Sequence, residues 1–406
     1  MDWNEIDWPA LERLRANFLG GRAGAADYWR SESDLASYDT TFAQRIGWKW
    51  DYVLAELARR GWSPPRGELL DWGCGSGIAG RAFLDHFGVE SVSTLRVWDR
   101  STLARQFATR RAQAKYPGLE VAPWLGDVPG AAEALERRPP ICRETVDLPM
   151  NQREARASRS CEPEPTGETP VPLPPSPAHS GSVAQAATPW RPRQIYSKAG
   201  SETDAPPGTL LVSHVLNELT PDQIEALVRL IARSECVLWV EPGTYGVSRA
   251  LSAIRERLRP EFNVIAPCPH QEHCGVLTAG NERHWCHHFA SPPAEVFQDG
   301  HWSHFANLLG IDLRDLALSF LVLDRRPAPA LPPGATRILG HPRIYKPHAL
   351  LLSCDQAGVR ERKLTKRALP EEFKRLKKRE FDSLQIMQGE GAEVESCADS
   401  QGLMMR

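Results

Sequence analysis

A glycine-rich turn directly after a short apolar run constrains the fold of this chain more than any other feature. Residues 67–84 read GELLDWGCGSGIAGRAFL. The apolar run predicts a buried strand, and the apolar periodicity after the glycines predicts a helix. Glycine lets the backbone turn sharply and approach a ligand closely, and the next helix offers free N–H groups. The segment therefore predicts a ligand site on a Rossmann-like sheet.

Strands and helices alternate along much of the chain. Thr220 is a predicted helix N-cap, and Pro221 occupies the first helical position. Alternation of this kind predicts an α/β fold with a mostly parallel sheet and right-handed crossovers. Further strands are predicted at 94–101, 119–128, 208–219 and 235–246, followed by a helix at 247–259 and a closing pair of strands at 316–326 and 347–355.

Composition divides the chain into segments. A stretch rich in proline, which fixes φ and removes a backbone donor, predicts a long disordered insertion. The predicted division is an N-terminal helical cap at 1–62, a core at 63–130 and 208–262, the Pro-rich insertion at 131–207, a Cys/His-rich metal module at 263–315, the closing strands at 316–358, and a basic segment with a disordered tail at 359–406.

The glycine turn also carries a motif. Asp71, Gly73, Gly75 and Gly77 form the pattern DxGxGxG, which resembles motif I of class I S-adenosylmethionine-dependent methyltransferases. The resemblance implies that Asp99, at the end of the second strand, accepts hydrogen bonds from the ribose hydroxyls. Two further sites are implied: Asp127 for adenine, and residues 213–217 beside the methyl donor. A nucleotide, or an empty pocket, is the alternative. No residue pattern identifies a catalytic base, so the catalytic residues are unknown.

Three cysteines, Cys268, Cys274 and Cys286, lie close in sequence, and Cys354 ends the run LLLSC. Thiolates select zinc or iron–sulfur centres. Structural zinc sites usually contain CxxC pairs, which are absent from this run. A Cys/His zinc site remains open, with candidate ligands at His270, His273, His284, His287 and His288. We expect 347–355 to be the antiparallel last strand of the sheet, which places Cys354 beside Cys268 at the edge opposite the cofactor.

Several motifs occur in one order: the glycine turn, EPGTYG, APCPHQEHC, WCHHF, LSFLVLDRR and LLLSC. Together they resemble the methyltransferase-like family associated with the mitochondrial ribosomal small subunit, which also has bacterial members. The resemblance implies that the four cysteines hold a four-iron–four-sulfur (4Fe-4S) cluster and that the protein methylates or assembles the small subunit. One departure from the family is Gly275, where proline is common. The alternatives are a non-enzymatic assembly factor, or a zinc-stabilised methyltransferase of a protein or small molecule.

Charge suggests one place for a nucleic-acid partner. The net charge is only −2, so any affinity for ribosomal RNA must come from a local patch. Residues 360–379 hold ten Lys and Arg against three Glu, and we expect this segment to contact RNA phosphates, although a solvated face is the alternative. We expect no membrane partner, since no apolar run reaches spanning length. The N-terminus lacks the pattern of a targeting peptide, which predicts a cytoplasmic protein.

Overall fold

The computed structural model describes residues 2–20, 28–124, 207–389 and 391–399. The predicted insertion at 131–207, apart from Pro207, therefore lies outside the described residues, as does Asp127. The helices of the described part, numbered in chain order, are α1 Trp8–Leu19, α2 Glu32–Thr40, α3 Phe42–Arg59, α4 Ile78–Phe87, α5 Thr102–Lys115, α6 Pro221–Ile231, α7 Tyr245–Leu258, α8 Gly300–Leu309 and α9 Pro370–Lys378.

The first three helices begin at side-chain caps or bury apolar faces. Asp7 caps α1 by accepting a hydrogen bond from the Ala10 amide, and Ser31 caps α2 in the same way. Helix α3 has apolar residues at helical spacing, and it buries Trp50, Val53, Leu54 and Leu57 against the sheet. Helices α1 and α3 also contact α8 through a cluster of aromatic side chains.

The main sheet contains eight strands. Their order is β3-β2-β1-β4-β5-β8-β6, with β7 paired to β8. Strands β1 to β5 are parallel, and β8 is antiparallel to β5. The strands are β1 Glu68–Trp72, β2 Thr94–Trp98, β3 Glu120–Pro123, β4 Thr209–Ser213, β5 Cys236–Pro242, β6 Asn263–Ala266, β7 His288–Ala290 and β8 Leu316–Asp324.

This strand order confirms the predicted fold class. A Rossmann-like sheet whose final antiparallel strand lies between the fifth and sixth strands is the class I methyltransferase arrangement. The central strands are buried on both faces, as parallel strands between two helical layers must be. Their sequences are therefore continuous apolar runs, which is why these strands could be predicted.

The predicted position of 347–355 is wrong. This segment forms a strand of a second sheet, and the antiparallel strand of the main sheet is β8 alone. A short apolar run shows that a strand is buried but not which sheet buries it. The second sheet has the order β10-β11-β9-β13-β14, with β12 paired to β11; its strands are β9 Ala335–Ile338, β10 Arg343–Ile344, β11 His348–Asp355, β12 Gly358–Thr365, β13 Leu384–Gln388 and β14 Ser396–Asp399.

Candidate cofactor and cysteine sites

The glycine turn adopts a conformation that other residues rarely reach. Gly73, Gly75 and Gly77 have φ of 71°, 50° and 80°. The amides of Gly73 and Cys74 both donate to the carbonyl of Trp98 at the end of β2, at 2.7 and 2.9 Å. The turn is therefore fixed to the carboxyl edge of the sheet, where Rossmann-like folds bind their ligands.

Two of these glycines are also required by close packing. A β-carbon on Gly73 would lie 2.7 Å from the Val215 side chain, and one on Gly77 would lie 2.9 Å from Ala108. Gly75 differs, because within the described part of the chain only Trp29, at 4.0 Å, approaches the space where its β-carbon would be. The backbone at Gly75 thus borders open space in which a ligand can approach.

The two predicted acidic residues hold the turn in different ways. Asp99 accepts hydrogen bonds from the Gly75 amide at 3.0 Å and from the Ser101 amide at 2.8 Å. Asp71 is buried and accepts from the Gly80 amide at 2.9 Å, while its second oxygen has no partner among the described residues. Burial raises the pKa of Asp71 to about 7. Asp71 therefore fixes the start of α4, and Asp99, which is only partly buried, holds the turn at Gly75.

A cavity at the ends of β4 and β5 includes His214, one of the residues 213–217 that were predicted to lie beside the methyl donor. Lys49 on α3 lies there with its Nζ 3.1 Å from Nε2 of His214, and His214 has a φ of 55°. Lys49 was not predicted, because it belongs to no recognisable motif and is 165 positions from His214 in sequence. Positive φ in a residue other than glycine, however, is associated with functional sites.

The cysteine-rich segment is shaped by helix α7. Arg249 donates to the carbonyls of Val276 and His284 at 2.8 and 2.9 Å, and Arg255 donates to the carbonyl of Glu272 at 2.9 Å. The Glu256 carboxylate accepts from the Cys274 amide at 3.1 Å. These charged side chains replace the backbone pairing that an irregular loop lacks.

The four predicted cysteines are neighbours in the structure, and each influences the electrostatic environment of the others. Burial, and then the neighbouring Cys268, raises the pKa of Cys274 to about 11. Burial also raises the pKa of Cys286 well above its usual value, and Cys268, Cys274 and Cys354 add to that effect. The pKa of Cys354 rises for the same reasons, with burial first. The four thiols thus lie within each other's electrostatic reach.

Two buried histidines accompany these thiols. His270 places Nε2 3.4 Å from the sulfur of Cys354, and His288 places Nε2 3.6 Å from the sulfur of Cys286. Across the described ranges, no group of three or more His, Cys, Asp or Glu side chains is close enough to hold a metal ion. This finding favours neither the zinc site nor the cluster, and both stay predictions.

The predicted route to this site was wrong. Strand β6, which was not predicted, begins opposite Asp324 of β8, as β5 does, and runs in the same direction as β5. Cys268 follows this short strand, whose last residue, Ala266, pairs with Val322, and Cys354 lies on β11 of the second sheet. The cofactor and cysteine sites are also separated sideways: β6 is four strand spacings from β1, or roughly 19 Å.

A buried ionic network clamps the start of the cysteine segment. Glu56 on α3 contacts Arg60 at 2.8 Å and Arg337 on β9 at 2.9 Å. Arg60 donates to the carbonyls of Pro267 and Cys268 at 2.8 and 3.0 Å, and Arg337 donates to that of Pro267 at 3.0 Å. All three charged side chains are almost completely buried. The network joins the helical cap, the second sheet and the cysteine segment.

The basic segment is less cationic than its sequence indicates. Arg360 and Arg362 both pair with Asp355, and Arg379 pairs with Asp315. By contrast, Lys366, Arg367 and Lys377 are exposed and form no ion pair with any residue in the described ranges. These three side chains are the part of the segment that is available to phosphates. No helix in the described part of the chain is both long and apolar enough to cross a membrane.

Comparisons with known proteins give a family but no close relative. No curated protein matches the sequence. The plantazolicin methyltransferase BamL, solved with S-adenosylhomocysteine (SAH), is 10% identical, covers 79% of this chain and 100% of its own, and has a TM-score of 0.34. TrmK of M. capricolum, also with SAH, is 4% identical over 68% and 69% of the chains, with a TM-score of 0.29. TehB of Haemophilus influenzae is 8% identical over 68% and 62%, with a TM-score of 0.31.

These likenesses are too weak to carry an argument, so the fold assignment depends on the strand order. The family evidence is stronger and agrees with the resemblance seen in the cysteine motifs, which lie within the matched residues. The family described as mitochondrial small ribosomal subunit Rsm22 matches residues 182–384, half of the 406-residue chain, and the chain therefore belongs to that family.

Proposed function

We propose that this protein is a factor of the ribosomal small subunit that binds S-adenosylmethionine, methylates ribosomal RNA and carries a 4Fe-4S cluster on Cys268, Cys274, Cys286 and Cys354. The observation that carries the proposal is the left-handed glycine turn at the carboxyl edge of a methyltransferase sheet, in a chain whose family is named for the small subunit. The family's description also names the mitochondrion, so the cytoplasmic location stays a prediction.

The described residues fit S-adenosylmethionine. The open space above Gly75 admits a ligand against the backbone, and the carboxylate of Asp99 has accepting capacity left after its two amide hydrogen bonds. Gly73, Gly75 and Gly77 would hold the methionine end, Asp99 the ribose, and Asp127 the adenine. When bound, S-adenosylmethionine supplies an electrophilic methyl group. Asp71 contributes indirectly, by fixing the start of α4.

Replacing Asp99 with alanine is expected to weaken S-adenosylmethionine binding by about 10- to 100-fold, because hydrogen bonds to a charged acceptor contribute roughly 1.5–3 kcal/mol each. Isothermal titration calorimetry measures this change. Iron content should stay the same, since the cysteines lie several strands away. The exposed carboxylate variant Asp85→Ala is the control. If Asp99→Ala also removes the metal, the assignment of two separate sites is wrong.

We infer a cluster instead of a single ion from the family resemblance and from the packing of Cys274, Cys286 and Cys354 in one buried group of side chains. A cluster distributes its thiolate ligands over several irons. His270 and His288 each place a ring nitrogen where it can donate to a cysteine sulfur, which stabilises a thiolate without ligating the metal.

The exposed cations of the basic segment are proposed to contact RNA. Changing Lys366, Arg367 and Lys377 together to glutamine should weaken binding to small-subunit RNA and lower the slope of log K against log salt by about two, at roughly 0.7 to 0.9 per phosphate contact. Filter binding at several salt concentrations measures the slope. The exposed, ion-paired Arg257→Gln is the control. An unchanged slope would place the RNA contact elsewhere.

Transfer of label from S-adenosylmethionine to purified small-subunit RNA tests the enzymatic part of the proposal. Incorporation that depends on Asp99 supports methylation. If no label is incorporated although the protein binds the subunit tightly, the non-enzymatic alternative is correct, and the fold serves assembly alone.

A further inference from the structure

A cavity of about 180 Å³ lies where β4 and β5 end, between the sheet and the N-terminal helices. Tyr28, Tyr38 and Phe42 form part of its walls, and Lys49, His214 and Glu218 provide its polar groups. None of the three loop glycines lines it. The cavity is therefore distinct from the site assigned to the cofactor.

The cavity is nevertheless next to the glycine turn. Val215, which follows His214, contacts the position of Gly73, and Trp29, which follows Tyr28, lies over Gly75. Trp29 also packs edge-on against Tyr28 and Tyr38 in the cavity wall, with ring centroids 4.6 and 5.0 Å apart. A molecule in the cavity would thus adjoin the end of the cofactor that borders β4.

The dimensions of the cavity limit what it can hold. An engineered apolar cavity of about 150 Å³ accommodates one benzene molecule. A cavity of about 180 Å³ is therefore suited to one six-membered ring and is too small for a fused pair of rings. Its aromatic walls are suited to a planar ring, because aromatic side chains stack on nucleobases of any sequence.

Two arginines without ion pairs in the described part of the chain line the cavity, which indicates that its ligand carries an anionic group. Arg15 and Arg45 both line it, and neither forms an ion pair with any residue in the described ranges. The Nε of Arg45 is buried and has no hydrogen-bond partner there. A buried donor without a partner is unfavourable, and a ligand phosphate would satisfy the Arg45 Nε. A nucleotide combines a ring and a phosphate in this way.

The contact between Lys49 and His214 provides a proton acceptor. A protonated lysine has no acceptor atom, and a protonated histidine has none either, so the 3.1 Å contact requires at least one of them to be neutral. Burial, and then Arg45, lowers the pKa of Lys49 to about 7, while Glu241 acts in the opposite direction. Burial and Lys49 lower the pKa of His214 well below its usual value. The indole of Trp50 donates to Ser213, beside His214, and fixes this edge of the cavity.

We propose that the cavity binds one pyrimidine base extruded from an RNA strand, with its phosphate on Arg15 and Arg45, and that Lys49 accepts the proton released when a base nitrogen is methylated. This inference rests on the proposed function. The base nitrogen forms a bond to the methyl carbon as the sulfur–methyl bond breaks, and its hydrogen passes as a proton to the neutral amine of Lys49. The products are methylated RNA, S-adenosylhomocysteine and a lysine ammonium group.

The test uses the full-length protein with small-subunit RNA and labelled S-adenosylmethionine from pH 6 to 8.5. For the wild type, the rate should fall as pH drops below about 7, because Lys49 must be neutral to accept a proton. Lys49→Met should lose at least about 100-fold in kcat, keep its affinity for S-adenosylmethionine, and lose that inflection. The control is Lys115→Met, on the surface at α5.

Arg45, Glu218, Glu241 and Tyr38 also face this region. If the inflection survives in Lys49→Met, one of them titrates instead, and the role of Lys49 is overturned.

A second measurement does not require turnover. Saturation-transfer NMR with S-adenosylhomocysteine present should show binding of cytidine or uridine 5′-monophosphate, and Arg45→Gln should abolish it. Binding of adenosine or guanosine 5′-monophosphate equal to that of the pyrimidines, or no nucleotide binding at all, would overturn the base pocket.

The two proposals fail in different ways. If the wild type methylates RNA and Lys49→Met is equally active, the role of Lys49 is wrong and the proposed function stands. If the wild type methylates nothing, the enzymatic function is wrong, and pyrimidine binding that is lost in Arg45→Gln would still support a base-binding cavity.

Discussion

Replacing Glu56 with alanine is expected to lower the free energy of unfolding by about 3–5 kcal/mol, since removal of one partner leaves buried charges uncompensated. Arg60 and Arg337 would remain in the interior, where both hold carbonyls of the cysteine segment. Chemical denaturation measures the change, and iron content should fall with it because the segment loses its clamp.

A surface glutamate provides the comparison. Glu225 makes a bidentate pair with Arg257, but both side chains are about half exposed, so Glu225→Ala should change stability by at most about 1 kcal/mol. Equal effects from Glu56→Ala and Glu225→Ala would show that the buried network does not hold the fold together.

The Glu56 network also predicts a pH dependence. Although burial raises the pKa of Glu56, Arg337 and Arg60 lower it to about 2. A carboxyl with a lowered folded-state pKa stabilises the protein above its unfolded pKa, near 4.5, and the contribution is lost as pH falls toward 2. Wild-type stability should decline through this window, and the decline should be smaller in Glu56→Gln.

Replacing Cys274 with serine is expected to remove the metal centre. A hydroxyl is a poor substitute for a thiolate at iron, and metal binding contributes directly to folding, by about 10–16 kcal/mol in zinc-finger peptides. After anaerobic purification, iron should fall from about four atoms per chain to nearly none. Denaturation should show a loss of several kcal/mol.

Cys397→Ser is the matched control, because Cys397 lies on β14 and contacts Gln385 instead of the other cysteines. Wild-type iron content in Cys274→Ser would exclude Cys274 as a ligand. If the wild type contains one zinc and no iron, the cysteines form a zinc site. The family resemblance would then no longer support a cluster in this protein.

The sequence predicted the main sheet well because its strands are buried on both faces and separated by amphipathic helices. It failed at 263–266 and 347–355 for one reason: short edge or second-sheet strands have no periodicity that identifies their neighbours. The error assigned Cys354 to the main sheet, because its position was inferred from a strand that belongs to the second sheet.

The sites also differ in how far each could be predicted from the sequence. The glycine turn was visible because its positive φ values require glycine at fixed spacing. The contact of Lys49 with His214 joins residues that are 165 positions apart, and the Glu56–Arg337 pair joins residues 281 apart. Lysine, glutamate and arginine are common on helices and strands, so only tertiary structure distinguishes these from ordinary surface charges.

Helix α3 contributes Lys49 to the cavity and Glu56 to the clamp on the cysteine segment. Seven residues along a helix correspond to about 10.5 Å, so the single helix α3 connects the cavity to the cysteine segment. Thermodynamic linkage makes any coupling through α3 between binding at the cavity and binding at the cysteines reciprocal. Under the proposed function, any factor by which metal loading changes acceptor affinity is the factor by which acceptor binding changes metal affinity, so iron supply and substrate occupancy would act on one equilibrium.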